Sequence, residues 1–323
     1  MNMKAGKWGA DFLLLVNTFF WGITFVIVKD AISAVGVFVF LTQRFFFAFI
    51  ILLLICLVAR RPVTRAAFRQ GCVMGLSLFG AFALQTMGLL YTTASNAAFL
   101  TGLNIVLVPV IGGIFLGHRV TAAMKAGVFV AMVGLFLLST NGTMSLNRGD
   151  ILVTLCAVCV ALHVIYTGEF ARKSDVYWLT AIQIGTVALL SCCAGIVMGD
   201  DVFQWYPDIL DALIICVIFA TVFCFFVQTS MQRFTSPTHT ALIFCMEPVF
   251  GAIYAYYAAG ERFGPWGLLG ALFIFAGMIL SEVSLPPRFI LPHDSAAQSR
   301  EPSWGNGNGD GNGNGDKIPE KRR

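Results

Sequence analysis

The sequence predicts an all-α polytopic membrane protein: ten transmembrane helices in two inverted five-helix repeats. Three observations carry that prediction: an apolar composition, ten apolar stretches of near-bilayer length, and a self-match at a fixed offset. Of the 323 residues, 58% are hydrophobic and only 12% charged, with a mean hydropathy of +0.80. A soluble domain carries roughly a quarter charged residues. A soluble core cannot hide this much apolar surface, so the solvent is lipid. The 32 glycines fit, because glycine is more frequent in membrane helices than in soluble ones.

A helix needs about 20 apolar residues to cross the hydrocarbon core. Stretches of near that length fall at 11–30, 36–58, 71–91, 95–116, 124–140, 150–169, 177–198, 211–231, 238–258 and 265–284. Lys4 and Lys7 precede the first, as in a signal peptide. That run is too long, and Lys29-Asp30 stands where a small-residue cleavage site belongs, so it is read as the first span. Beyond 286 the chain turns to Gly-Asn-Gly-Asn-Gly-Asp repeats and a basic end, Lys317 to Arg323. Such a composition buries too little apolar area to offset chain entropy, and disorder is expected over 286–323.

Loop charges set the orientation. With a cytoplasmic N-terminus, eleven Lys and Arg fall on the inside before the tail is counted, among them Arg60, Arg61, Arg65, Arg69, Arg172 and Lys173. Only Lys29, Arg148 and Arg262 fall outside, while Arg44 lies within a span. The loop over 199–210 holds three aspartates and no Lys or Arg, as an outer loop should. Both termini are therefore expected in the cytoplasm of a multi-pass plasma-membrane protein, at a bacterial inner membrane. The net charge of +4 is then an orientation signal and not a nucleic-acid footprint.

Sliding the sequence along itself until Gln85 meets Gln228 sets 83–139 on 226–282 without a gap. In that one register Thr86 falls on Thr229, Thr92 on Thr235, Gly117 on Gly260, Arg119 on Arg262, Gly127 on Gly270 and Gly134 on Gly277. A weaker match in a slightly shorter register sets Asp11 on Asp150. The units are 1–145, with spans one to five, and 146–285, with spans six to ten. Five is odd, so the second copy enters the membrane from the opposite side. Inverted repeats of this kind are a recurrent transporter plan, with the substrate site near the midplane between the halves.

Certain residues also carry a family resemblance. They are Trp21-Gly22 with Lys29, Arg44, Pro109 through Gly117 with Arg119, then Gly127 and Gly134. In the second half they are Glu247-Pro248-Val249-Phe250, Gly260-Glu261-Arg262, Gly270 and Gly277. With these the chain resembles, over residues 10–284, the EamA-type branch of the drug/metabolite transporter superfamily. One departure is His118, where that family usually has a carboxylate matching Glu261. The resemblance implies export or import of amino acids, nucleotides, sugars, drugs or other metabolites, and it does not choose among them.

Polar groups inside a bilayer are costly, a central carboxylate by about 2.5–3.5 kcal/mol on insertion scales, so each needs a reason. Glu247 is the one acid near the middle of a span, and Asn104 is its repeat partner. Pro248, next to Glu247, removes a backbone donor, frees a carbonyl nearby and permits a kink. Glu247 is read either as a site for substrate or a coupling proton, or as a fixed clasp to His163, a Gln or a backbone group. His163 either relays protons or packs as a neutral, hydrogen-bonded side chain. Arg44 and Lys29 either attract an anionic group or snorkel to the interface. Gln85 and Gln228 line a cavity or bridge helices, and Trp21 is a cavity wall or packing. Gly71-x-x-x-Gly75 and Gly113-x-x-x-Gly117 allow close helix approach. The nine cysteines lie in or beside apolar stretches and read as small packing residues.

No paired His spacing suits zinc, and no Gly-rich loop precedes Lys-Ser or Lys-Thr. No nucleophile–base set appears either, so no enzyme, metal or cofactor is expected. Asn141-Gly142-Thr143 forms a glycosylation sequon that matters only in a eukaryotic secretory pathway. The function expected is secondary transport of a small polar or amphipathic metabolite, amino acid-like or similar. It would run by alternating access, export favoured, with protons as a candidate coupling ion. The substrate-binding candidates are Glu247, Asn104, His163, Gln85, Gln228, Trp21 and Arg44. The expected partners are that metabolite and the lipid bilayer, with no nucleic acid; a homodimer is left open. The alternative is a channel or receptor-like membrane protein without alternating access.

Overall fold

The computed structural model describes residues 3–92, 94–116, 121–140, 147–258 and 264–282, and every regular element among them is a helix. His118, Arg119, the sequon, Glu261, Arg262 and the tail lie outside the described residues. The first half holds α1 (Met3–Ala34), α2 (Val37–Val58), α3 (Arg65–Leu89), α4 (Ala94–Gly102), α5 (Asn104–Leu116) and α6 (Ala122–Thr140). The second holds α7 (Arg148–Phe170), α8 (Val176–Met198), α9 (Leu210–Val217), α10 (Cys224–Met231), α11 (Pro237–Phe244), α12 (Glu247–Ala258) and α13 (Pro265–Glu282). By length and composition, six helical stretches among the described residues can cross a membrane: Trp8–Ala34, Val37–Val58, Arg65–Leu89, Arg148–Phe170, Val176–Met198 and Pro207–Phe234. Leu100–Ile114, Ala122–Leu137 and Pro265–Leu280 are apolar but shorter.

Three stretches expected as single helices are interrupted. Over 95–116 the turn at Leu103 separates α4 from α5. There the Asn104 amide folds back onto the Thr101 carbonyl at 2.8 Å, drawing the backbone into a tighter turn. Over 238–258 the turn at Cys245 and Met246 separates α11 from α12. Pro248 has no amide to offer the Phe244 carbonyl, so the α-helical ladder lapses there. Over 211–231 a π-helical segment, Ile218–Phe223, joins α9 to α10. The turns at Leu103 and Met246 coincide in the register that sets Gln85 on Gln228, and Asn104 and Glu247 each open the helix that follows.

Capping fixes several ends. Thr64 accepts from the Ala67 amide, and Ser236 accepts from that of His239 ahead of a Pro237 first turn. Asn147 and Asp150 form a reciprocal capping box. Gly199, at φ 83°, ends α8 in the left-handed region.

Side-chain contacts give the relative directions of the helices. Asp11, early in α1, faces His239 at the start of α11, with Oδ1 and Nε2 3.1 Å apart. Lys29, late in α1, donates to the Thr92 carbonyl at 3.3 Å. Thr92 in turn donates its hydroxyl to Asp150, at the start of α7, at 2.6 Å. Arg172, just past the end of α7, donates to the Thr235 carbonyl at 3.0 Å, back beside α11. Helix α1 therefore starts at the end of the bundle where α7 finishes, and the two run antiparallel.

Close crossings use glycine. A Cβ on Gly134 of α6 would stand 2.6 Å from the Gly270 carbonyl oxygen of α13. One on Gly277 would stand 2.6 Å from the Gly127 carbonyl oxygen, so the α6–α13 crossing has the same residue pair on both sides. Gly71 and Gly75 set α3 against Ile182 and Thr186 of α8. Gly22 sets α1 against the Glu247 carbonyl and Gly251 of α12.

Candidate functional site

One cavity opens among α1, α2, α3, α7, α10 and the two interrupted helix pairs. All seven residues singled out from the sequence line it: Trp21, Arg44, Gln85, Asn104, His163, Gln228 and Glu247. It runs from Thr86 and Leu89, near the Thr92–Asp150 end, to Val164 and Gln228, towards the Arg172–Thr235 end.

The π-helical segment positions two of these residues. Its wide turn lets the Thr221 hydroxyl donate to the Cys216 carbonyl five residues back, at 2.7 Å. With its proton used there, the Thr221 oxygen accepts from Arg44 Nε at 2.9 Å. The neighbouring Ala220 carbonyl accepts from Trp21 Nε1 at 2.9 Å. Arg44 is 2% exposed, and its guanidinium carbon lies 4.8 Å from the Phe82 ring centroid. Arg44 therefore turns inward instead of snorkelling, and no carboxylate among the described residues pairs with it.

Hydrogen-bond chains ending on backbone carbonyls fix the amides, because a carbonyl can only accept. Asn104 must present its NH2 to the Thr101 carbonyl, which leaves Oδ1 facing away, buried and unpartnered. Gln232 must present its NH2 to the Val164 carbonyl, at 2.9 Å. Its Oε1 then accepts from Gln228 Nε2 at 2.9 Å, and Gln228 Oε1 is left buried and unpartnered. Thr229 donates its hydroxyl to the Phe225 carbonyl, so towards Gln183 Nε2 it accepts, at 3.1 Å. Gln183 Oε1 therefore faces His163 Nε2, at 2.7 Å, and the ring carries its proton on Nε2. Gln85 donates to Thr101 Oγ1 at 3.0 Å.

Glu247 opens α12, where the helix dipole favours negative charge. It has no ion pair or hydrogen-bonded partner among the described residues. The clasp to His163 weighed from the sequence is not made, because Gln183 holds that imidazole. Lys29 is held at the Thr92 carbonyl and is not among the cavity-lining residues.

Aromatic rings complete the wall. Phe225 packs against Trp21, Phe82 and His163 at centroid distances of 5.4, 6.0 and 5.9 Å, and Phe244 against Trp21 at 5.1 Å. Nothing in the sequence marked these phenylalanines, since 30 are spread along the chain. Gln183, an amide in the middle of an apolar stretch, did carry a signal. Among the described residues no three His, Cys, Asp or Glu side chains gather to hold a metal ion.

The pattern of the EamA-like transporter family matches the chain twice, over 8–140 and over 147–282. The chain belongs to the EamA-like transporter family. Several similar proteins carry the name of transporter. An uncharacterized transporter of Archaeoglobus fulgidus is 30% identical over 271 residues, covering 84% of this chain and 85% of its own. The uncharacterized transporter YyaM of Bacillus subtilis is 24% identical over 298 residues, covering 88% and 97%. A crystal structure at 16% identity superposes with a TM-score of 0.73 over 85% of this chain and 98% of its own, a likeness of fold. An EamA-like chain of this composition is a multi-pass membrane transporter; family and relatives are named for transport and not for catalysis.

Proposed function

We propose that the chain is a secondary transporter that moves a small polar or amphipathic metabolite by alternating access, export favoured, with a proton coupled at Glu247. The observation that carries this is the cavity itself. Groups costly to place in lipid converge on it from both halves of the chain, and Glu247, with no fixed partner, needs a substrate cation or a proton to neutralise it.

In this reading the bundle is ten membrane-crossing segments in two inverted repeats, 1–145 and 146–285. The paired features of the fold support it. In the register that sets Gln85 on Gln228, Lys29 falls on Arg172 and Thr92 on Thr235. Both basic side chains cap the corresponding threonine carbonyl. The turns at Leu103 and Met246 and the two sides of the α6–α13 crossing obey the same register. The antiparallel course of α1 and α7 supports the inversion. A bundle whose halves are near-equivalents has two packings of similar energy, one facing each side, and their exchange carries the substrate. The loop charges favour both termini on the cytoplasmic side of a bacterial inner membrane.

The test is counterflow of labelled metabolite mixtures in proteoliposomes. A carrier gives saturable uptake, stimulated by unlabelled substrate on the far side. Flux that rises without saturation, and ignores the far side, would make the protein a channel instead. Absence of any flux, with ligand binding retained, would leave the receptor-like alternative.

A further inference from the structure

The two ends of the bundle are closed by unlike chemistry. The proposal drawn from that difference rests on the alternating access proposed above and goes beyond it. At one end, where Lys29 caps the Thr92 carbonyl, Asp150 takes a non-titrating donor on each oxygen. The Thr92 hydroxyl donates to Oδ1 at 2.6 Å, and the Asn147 amide to Oδ2 at 2.9 Å. Asp11 is the repeat counterpart of Asp150, and Thr235 that of Thr92. At their end the threonine contact is not made. Thr235 Oγ1 is buried with no hydrogen-bond partner among the described residues. Asp11 faces His239 instead, with Oδ1 and Nε2 3.1 Å apart and the side chains 16% and 6% exposed. The distance is that of an ion pair, without the alignment of a hydrogen bond, so charge is what holds it. In the register that sets Gln85 on Gln228, the place of His239 is taken by Asn96, which does not titrate.

This pair lies beyond the floor of the cavity. Val164 and Gln228 line the last part of the cavity, and Gln232, which bridges them, does not line it. Past Gln232 the helices close tightly, since a Cβ on Gly168 of α7 would stand 3.0 Å from Pro237 Cγ, at the head of α11. Asp11 and His239 join α1 to α11, one helix from each half. The other charged groups at this end, on elements packed against α11, are Lys7 on α1, Lys125 on α6, Glu169 and Arg172 at the end of α7, and Glu282 on α13; α5 carries none. Arg172 is held at the Thr235 carbonyl, and Glu169 lies 3.4 Å from Lys173.

We propose that Asp11 and His239 form a pH-sensitive latch on the cytoplasmic gate. A protonated imidazole completes an ion pair between α1 and α11, and a neutral one does not. The proton therefore binds the latched arrangement more tightly than the parted one, so acid populates the latched state. Loss of that proton, in the range where histidines ordinarily titrate, frees the two helices to part. Neither Thr92 nor Asn147 offers such a group at the other end. Opening towards the cytoplasm is thus withheld when that side turns acidic. Glu247 answers to a pH difference that drives transport, whereas the latch answers to the pH of one side with no difference applied.

The test is pulsed electron-spin distance measurement on the full chain in proteoliposomes, at equal pH on both sides, in a background without the native cysteines. One nitroxide pair, on Trp8→Cys and Phe234→Cys, reports the latch end; both positions are exposed. A second pair, on the exposed Tyr91→Cys and Ile151→Cys, reports the other end. Raising the pH from about 5 to about 8 should lengthen the first pair, its ratio of short to long distances falling by roughly threefold or more. The second pair should shorten in step. His239→Gln and Asp11→Asn should each abolish the response of the first pair. A response that survives His239→Gln undiminished would overturn the latch and assign the titration to another group. So would a first pair that keeps one distance across the range with Asp11 and His239 intact, which decides the matter should either variant fail to fold. Lengthening of the first pair with the second unmoved would uphold the latch and sink alternating access.

Discussion

At Glu247 a carboxylate sits at the head of a helix, in a cavity, with no fixed partner. A group kept in that state costs stability, and its removal should return some. Glu247→Gln is expected to melt in detergent at the same temperature as the parent or higher, while losing the pH dependence of transport. A variant that melts lower and transports with unchanged pH dependence would make the residue a structural one. Gln183 works through its neighbour. Gln183→Leu strips the Nε2–H of His163 of its acceptor and leaves it buried, at about 1–3 kcal/mol. A lower melting temperature together with weaker substrate affinity is expected, and Gln183→Glu, which keeps an acceptor towards the ring, should recover part of both. The seven cavity residues were legible in the sequence because each is polar or amphipathic within an apolar stretch, and lipid makes such residues conspicuous. Phe225 and Phe82 were not, because a phenylalanine in a membrane helix gives no contrast with its surroundings. Thr221 was hidden for another reason: its role depends on a π turn that no local residue pattern announces.

Among the elements, that π segment does the positioning. It gives Trp21 a carbonyl and Arg44 a hydroxyl from adjacent residues, so two cavity side chains share one support. Trp21→Phe keeps a smaller aromatic ring and removes the donor, and should cost at least about 1 kcal/mol, read as a drop in melting temperature. A neutral result would mean that the bond to the Ala220 carbonyl contributes nothing to stability. The α6–α13 crossing is stricter, since a side chain on Gly134 meets backbone that cannot rotate away. Gly134→Leu should destabilise by about 1–3 kcal/mol or prevent folding, and Gly277→Leu should match it, because the two glycines hold equivalent places. Unequal effects would argue that the crossing is not symmetric in energy. The sequence placed these helices well where a span is one continuous run, as in α2, α7 and α8. It missed the interruptions at Leu103 and the π segment, while Pro248 after Glu247 already marked a kink beside Met246. Apolar periodicity measures burial, whereas the two missed breaks follow from a side chain turning back and a widened turn.

For the whole molecule, the internal register says more than the apolar composition does. Composition places the chain in lipid; the register pairs Lys29 with Arg172 and Asn104 with Glu247. The same register gives the cavity its asymmetry. Where the first half places the amide of Asn104 in the cavity wall, the second places the carboxyl of Glu247. Alternating access requires that the cavity be reached from one side of the membrane at a time. It is tested most directly by Leu89→Cys and Val164→Cys, at the two ends of the cavity, in a background without the native cysteines. Each is labelled with a membrane-impermeant maleimide from either face of oriented vesicles. Leu89→Cys is expected to react from the outer face and Val164→Cys from the cytoplasmic face, and any condition raising one rate should lower the other. Rates that rise together, or two sites reached from the same face throughout, would contradict it.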